Sequence, residues 1–215
     1  MTGRPVPFDF DPNDLDQFAW LGQIEMWHYV RGYEEAARIL VEATETPEAR
    51  AMARSDRLAL PVVFLCRQAV ELRMKDLIAT GNRCLGTTEP IEESSHNLSK
   101  LWTSCRRLIM TAWPGTPDED LDGIDSVIAG LHVVDPASTA FRYPTDRKGN
   151  KSLPDEMESF NLRVFFNKVT TVIDALEAAE TGIDAEHDMR VEYEAELSQQ
   201  YEEAMREEYG ADYPG

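Results

Sequence analysis

Apolar side chains recur at helical spacing through most of this chain, and almost nowhere in the strict alternation of a half-buried strand. From Asn13 to about Thr44 they fall at Leu15, Phe18, Ala19, Leu21 and Ile24, then at Tyr29, Tyr33, Ala36, Ala37 and Leu40. Gly22 and Gly32 interrupt the pattern, which predicts one long helix or two broken ones, ending before Pro47. The next segment, RLALPVVFLCRQAVELRMKDLIATG, is the most apolar of the protein. Pro61 lacks an N–H and crowds the preceding turn, so a start or kink is expected there, and Gly81 is a natural C-terminal cap. Residues 62–79 are apolar nearly all round, which predicts a central, buried helix.

A further helix is expected from about His96 to Trp113. Ser94 and Ser95 are its candidate caps, and Leu98, Leu101, Trp102, Cys105, Leu108 and Ile109 form its apolar face. Thr116-Pro117-Asp118-Glu119 combines a capping box with Pro at the first helical position and opens another helix, ending before Pro136. Residues 137–158 are polar, and Asp146 to Asn150 reads as a turn or the tip of a short hairpin. A strong helix then runs through FNLRVFFNKVTTVIDALEAAETG, with Gly182 as its expected close.

The tail is helical in pattern from Asp184 to Tyr209. Met189, Tyr193, Leu197, Tyr201, Met205 and Tyr209 stand at every fourth position. Such a repeat drifts about 200° over its length, so the stripe spirals and does not sustain a coiled-coil seam. Its first turns, at Met189, Tyr193 and Leu197, are expected to dock on the body. The architecture predicted is all-α, a helical bundle of about five core helices with an acidic C-terminal helical tail. A helical domain fills 1–182, with N-terminal helices in 13–45, and the tail fills 183–215.

The charge sharpens this picture. The 215 residues carry a formal charge of −19, and from Glu177 to Gly215 there are thirteen acidic residues against Arg190 and Arg206. An acidic chain is a poor non-specific nucleic-acid binder, because phosphate affinity comes from Lys and Arg releasing counterions. No run approaches the roughly 20 apolar residues of a membrane helix, and the N-terminus lacks the apolar core of a secretory signal. Cys66, Cys84 and Cys105 form no C-x-x-C pair, so they read as reduced thiols of a cytoplasmic protein. Neither a metal site nor a cofactor is expected, since no His or Cys spacing suits a metal and no Gly-rich loop suits a nucleotide.

Two polar features stand out against this background. Arg67, Glu71 and Lys75 fall at i, i+4 and i+8 on the most apolar helix, as either an exposed ion-pair ladder or a buried network. The loop FRYPTDRKGNK gathers Arg142, Arg147, Lys148 and Lys151 in an otherwise acidic protein. It is either a solvated turn or the holder of an anion.

The succession FLCRQAVELRMKDLI, SSHNLSKLW, then FRYP ahead of an Asn-Leu helix resembles that of HEPN-like helical proteins, over roughly residues 55–178. The resemblance implies an all-α bundle, frequent dimerisation, and roles in RNA cleavage, toxin–antitoxin pairs and phage defence. Ribonuclease members of that family carry Arg, four to six residues, then His. None of His28, His96, His132 and His187 has an Arg so placed, so the usual catalytic motif is absent.

A metal-independent nuclease would need a base, and a cation for the phosphate. His96, Arg67 and Arg142 are the candidates for those roles, with Glu71, Lys100, Tyr143, Arg147 and Lys148 as further substrate contacts. Arg142 is expected to reach the helix of Arg67 and to pair with Glu71. Partners are then RNA or a protein, with a homodimer implied by the resemblance. The rival reading is a non-enzymatic interaction protein, antitoxin-like or nucleic-acid-mimicking, acting through its acidic tail. That tail has two further readings, as a solubilising helix or as an arm screening the basic loop.

Overall fold

The computed structural model describes residues 22–90, 96–146 and 148–209. Among them the chain forms six helices and no named strand: α1 (Met26–Glu42), α2 (Pro47–Ala51), α3 (Arg54–Leu85), α4 (Leu98–Ala112), α5 (Asp118–Val134) and α6 (Leu162–Tyr209). The all-α bundle is thus what the periodicity predicts. Five long helices make it, with the short α2 as a corner.

Helix α3 is the spine, about 48 Å long at the usual rise per residue, and α1, α2, α4 and α6 pack against it. Val62, Val63, Cys66, Ala69, Val70, Met74, Leu77 and Ile78 are all buried, as expected of a central helix. Phe64 and Leu72 are only half-buried, at the edge of that face. Helix α1 brings Val30, Ala37 and Val41 to the core, and α6 brings Phe166, Val169, Val172, Ile173 and Leu176. Arg73, nearly enclosed on α3, ties the spine to α6 through Glu180 at 3.0 Å.

Several helix boundaries differ from expectation, each for a physical reason. Leu15 to Leu21 lie outside the described residues, and Ile24 precedes the helix; α1 starts where Glu25 and His28 form a reciprocal capping box. Pro61 neither starts nor ends α3, which begins seven residues earlier at Arg54. Pro61 faces solvent, so the carbonyl it leaves unpaired can be hydrated. Gly81 does not cap α3; the left-handed cap is Gly86, at φ 65°. A Cβ on Gly81 would stand 2.8 Å from Leu108 Cδ1, so this glycine lets α4 approach the spine closely.

Ser94 and Ser95 lie outside the described residues, and the cap of α4 is Asn97, whose side chain accepts from the Lys100 N–H. The capping box at Thr116 does not form. The Thr116 hydroxyl donates to the Trp113 carbonyl, and α5 instead opens with three acidic residues that suit its N-terminal dipole. The predicted hairpin tip is present as a single bridge between Thr145 and Lys151, with Gly149 at φ 85°. Nor does Gly182 close α6, which runs 48 residues without a break. A Cβ there would lie 3.0 Å from the Trp113 ring, so Gly182 makes room for the indole at the end of α4.

Candidate functional site

The three-residue polar stripe of α3 is no exposed ladder. Arg67 and Glu71 sit on the side of the spine that faces the start of α4 and the end of α5, and both are enclosed. Each guanidinium nitrogen of Arg67 donates to a different element. Nη1 meets Glu71 Oε2 at 3.0 Å, Nη2 meets the His96 carbonyl at 2.7 Å, and Nε meets the Asp135 carbonyl at 3.2 Å. The Asp135 carboxylate adds charge at 3.5 Å from Nε. Arg67 therefore joins the middle of α3 to the entry of α4 and the exit of α5.

Glu71 completes the hub through its other oxygen. Oε1 lies 3.0 Å from Lys75 Nζ and 2.9 Å from His96 Nδ1. Burial pushes this carboxyl up, but the hydrogen bonds and charges of Lys75 and His96 outweigh it and hold it below the usual glutamate range. An ionised carboxylate only accepts, so the imidazole Nδ1 carries the proton that faces it. The His96 side chain remains 48% exposed.

Asp135 plays a part that no candidate motif announces. Its Oδ1 accepts the Thr139 and Ala140 N–H groups at 2.7 and 3.0 Å, which folds the turn after α5. The available signal is an Asp before Pro136 at a helix end, since Asp-Pro favours turn initiation. That turn places Phe141 in the core and Arg142 beside it.

Arg142 does reach α3, but not Glu71, which corrects the expected pairing. Its guanidinium lies 5.7 Å from the centre of the Phe64 ring and 5.7 Å from that of Tyr143, and it donates to the Ser138 carbonyl. Glu71 is already satisfied by Arg67, Lys75 and His96, so a further cation has no oxygen left to claim. The candidate residues therefore divide. Arg67, Glu71 and His96 form the hub, whereas Arg142, Tyr143 and Lys148 line an open groove with Thr139 and Asp146. Lys100 lies in the first turn of α4 and lines neither, and Arg147 lies outside the described residues. In the loop Lys151 pairs with Asp155 at 2.7 Å, and no ion pair among the described residues joins the loop to the tail.

The tail also departs from expectation. Its attachment ends with Ile183, the Arg83–Asp184 pair, the Trp113–Glu186 hydrogen bond and Arg190, which donates to the Cys84 carbonyl at 2.8 Å. Met189, Tyr193 and Leu197 do not dock but stand exposed. The spiralling stripe stands clear of the body from its first residue, so these apolar side chains cover no surface of it.

The three cysteines are free and buried, and burial pushes the Cys66 thiol up to about 12, so it is an inert core group. No group of three His, Cys, Asp or Glu among the described residues is placed to hold a metal ion, and no described helix is long and apolar enough to cross a membrane. Comparison with family models, curated proteins and solved structures finds no match.

Proposed function

We propose that the chain is a HEPN-like interaction protein of a toxin, stress or phage-defence setting, and that its acidic helical arm takes a basic protein partner. The observation that carries this reading is the arm itself. From Val191 to Glu208 every residue except Met205 is exposed. Helices draw most of their stability from packing an apolar face, yet Tyr193 and Tyr201 here stay 61% and 62% exposed. Between Glu192 and Glu208 the arm carries seven glutamates against Arg206. Like charge sets two such arms against each other, and the four-residue spacing does not keep a coiled-coil seam. A basic groove that receives an amphipathic helix suits the arm better than a second copy does. The hub supports the same reading, because every nitrogen of Arg67 is engaged inside the fold and none is left for a phosphate.

A second reading rests on the loop. Arg142 and Lys148 have no carboxylate partner among the described residues, and they flank the exposed ring of Tyr143 in one groove. Two cations beside an aromatic face suit a single-stranded RNA, with a base stacked and phosphates held. His96, half in water and backed by Glu71, is the group that would serve as a base, although it does not line that groove.

The two readings separate in one experiment on the full chain. A synthetic Leu/Lys amphipathic helix and a uridine oligonucleotide are each titrated against wild type, against a Tyr193→Ser/Leu197→Ser/Tyr201→Ser variant, and against Arg142→Ala/Lys148→Ala. The arm reading expects the peptide to bind wild type and to lose at least about ten-fold in the triple variant, whose charge is unchanged. Equal binding by the triple variant overturns it. Oligonucleotide binding that disappears only in the Arg142/Lys148 variant would move the function to the loop.

A further inference from the structure

We propose that the pocket between α5 and the first turns of α6 binds a small amphipathic carboxylate, its apolar body inside and its anionic head on Lys168. The pocket holds about 350 Å³ and is walled by Leu131 and Val134 of α5, Phe141 and Phe160 of the long connection, and Phe165 of α6. Small-molecule sites are concave, mostly apolar, and carry a few polar groups that orient the ligand. This volume lies at the lower end of their range, which limits the occupant to a short chain or a single ring.

The polar lining is sparse. Among the described residues Ser126, Asn161 and Lys168 are its only polar side chains, and Lys168 is its only charged one. Asn161 is engaged, since its Oδ1 accepts the Val164 N–H at 2.9 Å at the entry to α6. Lys168 forms no ion pair or hydrogen bond among the described residues. That is unusual in a protein of charge −19, where acidic partners are abundant. Arg163, five residues earlier on the same helix, pairs with Glu45 at 2.7 Å. An unpaired ammonium at the edge of an apolar cavity selects a ligand with one negative end and an apolar remainder. A cation is repelled, and a phosphate would be left with a single charged donor.

The walls are preformed and their rim is apolar. Phe160 and Phe165 meet edge to face with centroids 5.6 Å apart, which fixes one side. Val164 at the rim is half exposed, so apolar surface lies open to water that a bound chain would cover. On the opposite side, a Cβ placed on Gly130 would meet nothing within 4 Å. Its missing side chain widens the cavity at a helical position where glycine lowers intrinsic stability.

The test is isothermal titration of the full chain with octanoate, octan-1-ol and octylammonium. Two variants are compared, Lys168→Gln at an exposed site and Gly130→Leu, whose Cβ would meet nothing within 4 Å and which favours the helix. A melting temperature no lower than wild type and unchanged far-UV spectra confirm that both fold. Octanoate is expected to bind wild type saturably at one site, to weaken about ten-fold or more in Lys168→Gln, and to be excluded by Gly130→Leu. Octylammonium is expected not to bind. Octan-1-ol binding as tightly as octanoate, an unchanged affinity in Lys168→Gln, or no saturable octanoate binding would each overturn the proposal.

Discussion

His96 Nδ1 meets Glu71 Oε1 at 2.9 Å, with the imidazole half in water and the carboxylate enclosed. The peptide carbonyl of the same histidine receives Arg67 Nη2 at 2.7 Å. One residue at the entry to α4 thus touches both charges of the buried pair, one through its ring and one through its backbone. These two contacts have separable consequences.

Replacing Arg67 by Ala should be among the costliest single changes in the chain. It leaves Glu71 enclosed with fewer cations, and frees the carbonyls of His96 and Asp135 that it holds. Breaking one side of a buried pair costs about 3–5 kcal/mol. Arg142→Ala should cost less, about 1 kcal/mol, because Arg142 is itself exposed and touches only two ring faces and the Ser138 carbonyl. Urea denaturation of both variants measures the contrast, and comparable losses would mean that Arg142 belongs to the hub after all.

The ring contact can be isolated by pH. Glu71 is held below its ordinary value in the fold, whereas the unfolded chain titrates near about 4.3. The folded state therefore binds fewer protons here. Its contribution is whole above the unfolded value and is lost as pH falls through the lower, folded one. His96→Ala keeps the backbone bond to Arg67 but removes one of the donors that depress Glu71. The acid-unfolding midpoint should then move to higher pH, read by tryptophan fluorescence. A midpoint equal to that of wild type would show that the depression does not depend on the ring contact.

How much of this is legible in sequence depends on the range of the interaction. Helix existence follows from periodicity, because each helix buries its own apolar face. Helix ends are misjudged at Gly81 and Gly182 because both glycines answer to a distant side chain, Leu108 and the Trp113 ring. A local rule sees a flexible residue and reads a stop. The i, i+4 spacing of Arg67 and Glu71 marks a shared face, but not whether that face is wet. The answer lies with Asp135 and His96, which no spacing connects to α3. The match of Arg142 with Glu71 fails for the same reason, since their charges agree but the carboxylate is already saturated from elsewhere.

The glycines give a direct test of that account. Gly→Ala in an exposed helix interior gains up to about 1 kcal/mol from propensity. A Cβ added to Gly123 in α5 would meet nothing within 4 Å, so Gly123→Ala should raise the melting temperature. At Gly81 the same methyl would meet Leu108 Cδ1 at 2.8 Å, and Leu108 is itself buried. Overpacking costs about 1–3 kcal/mol, which outweighs the propensity gain. Gly81→Ala should therefore melt lower than wild type while Gly123→Ala melts higher. A rise in both would mean that α4 can step back at no cost.

The last prediction locates where the body of the protein ends. Ile183 is buried, and Asp184, Glu186 and Arg190 each bond to α3 or to the end of α4. Past Arg190 no side chain of the described residues is buried. Removing residues 192–215 should then leave the melting temperature nearly unchanged, since among the described residues it takes away little packed area and no ion pair to the body. Helical ellipticity should fall by the share that the arm contributes. Removing residues 183–215 also deletes Ile183 from the core and the three polar ties, and should lower stability by at least about 2 kcal/mol. The short truncation also removes repulsion among the arm's glutamates, so any small change it makes should be stabilising at low salt and vanish at high salt. A large loss from the short truncation would mean that the arm folds back on the body in solution. In that case Tyr193, Leu197 and Tyr201 would be covered by their own protein and not by a partner.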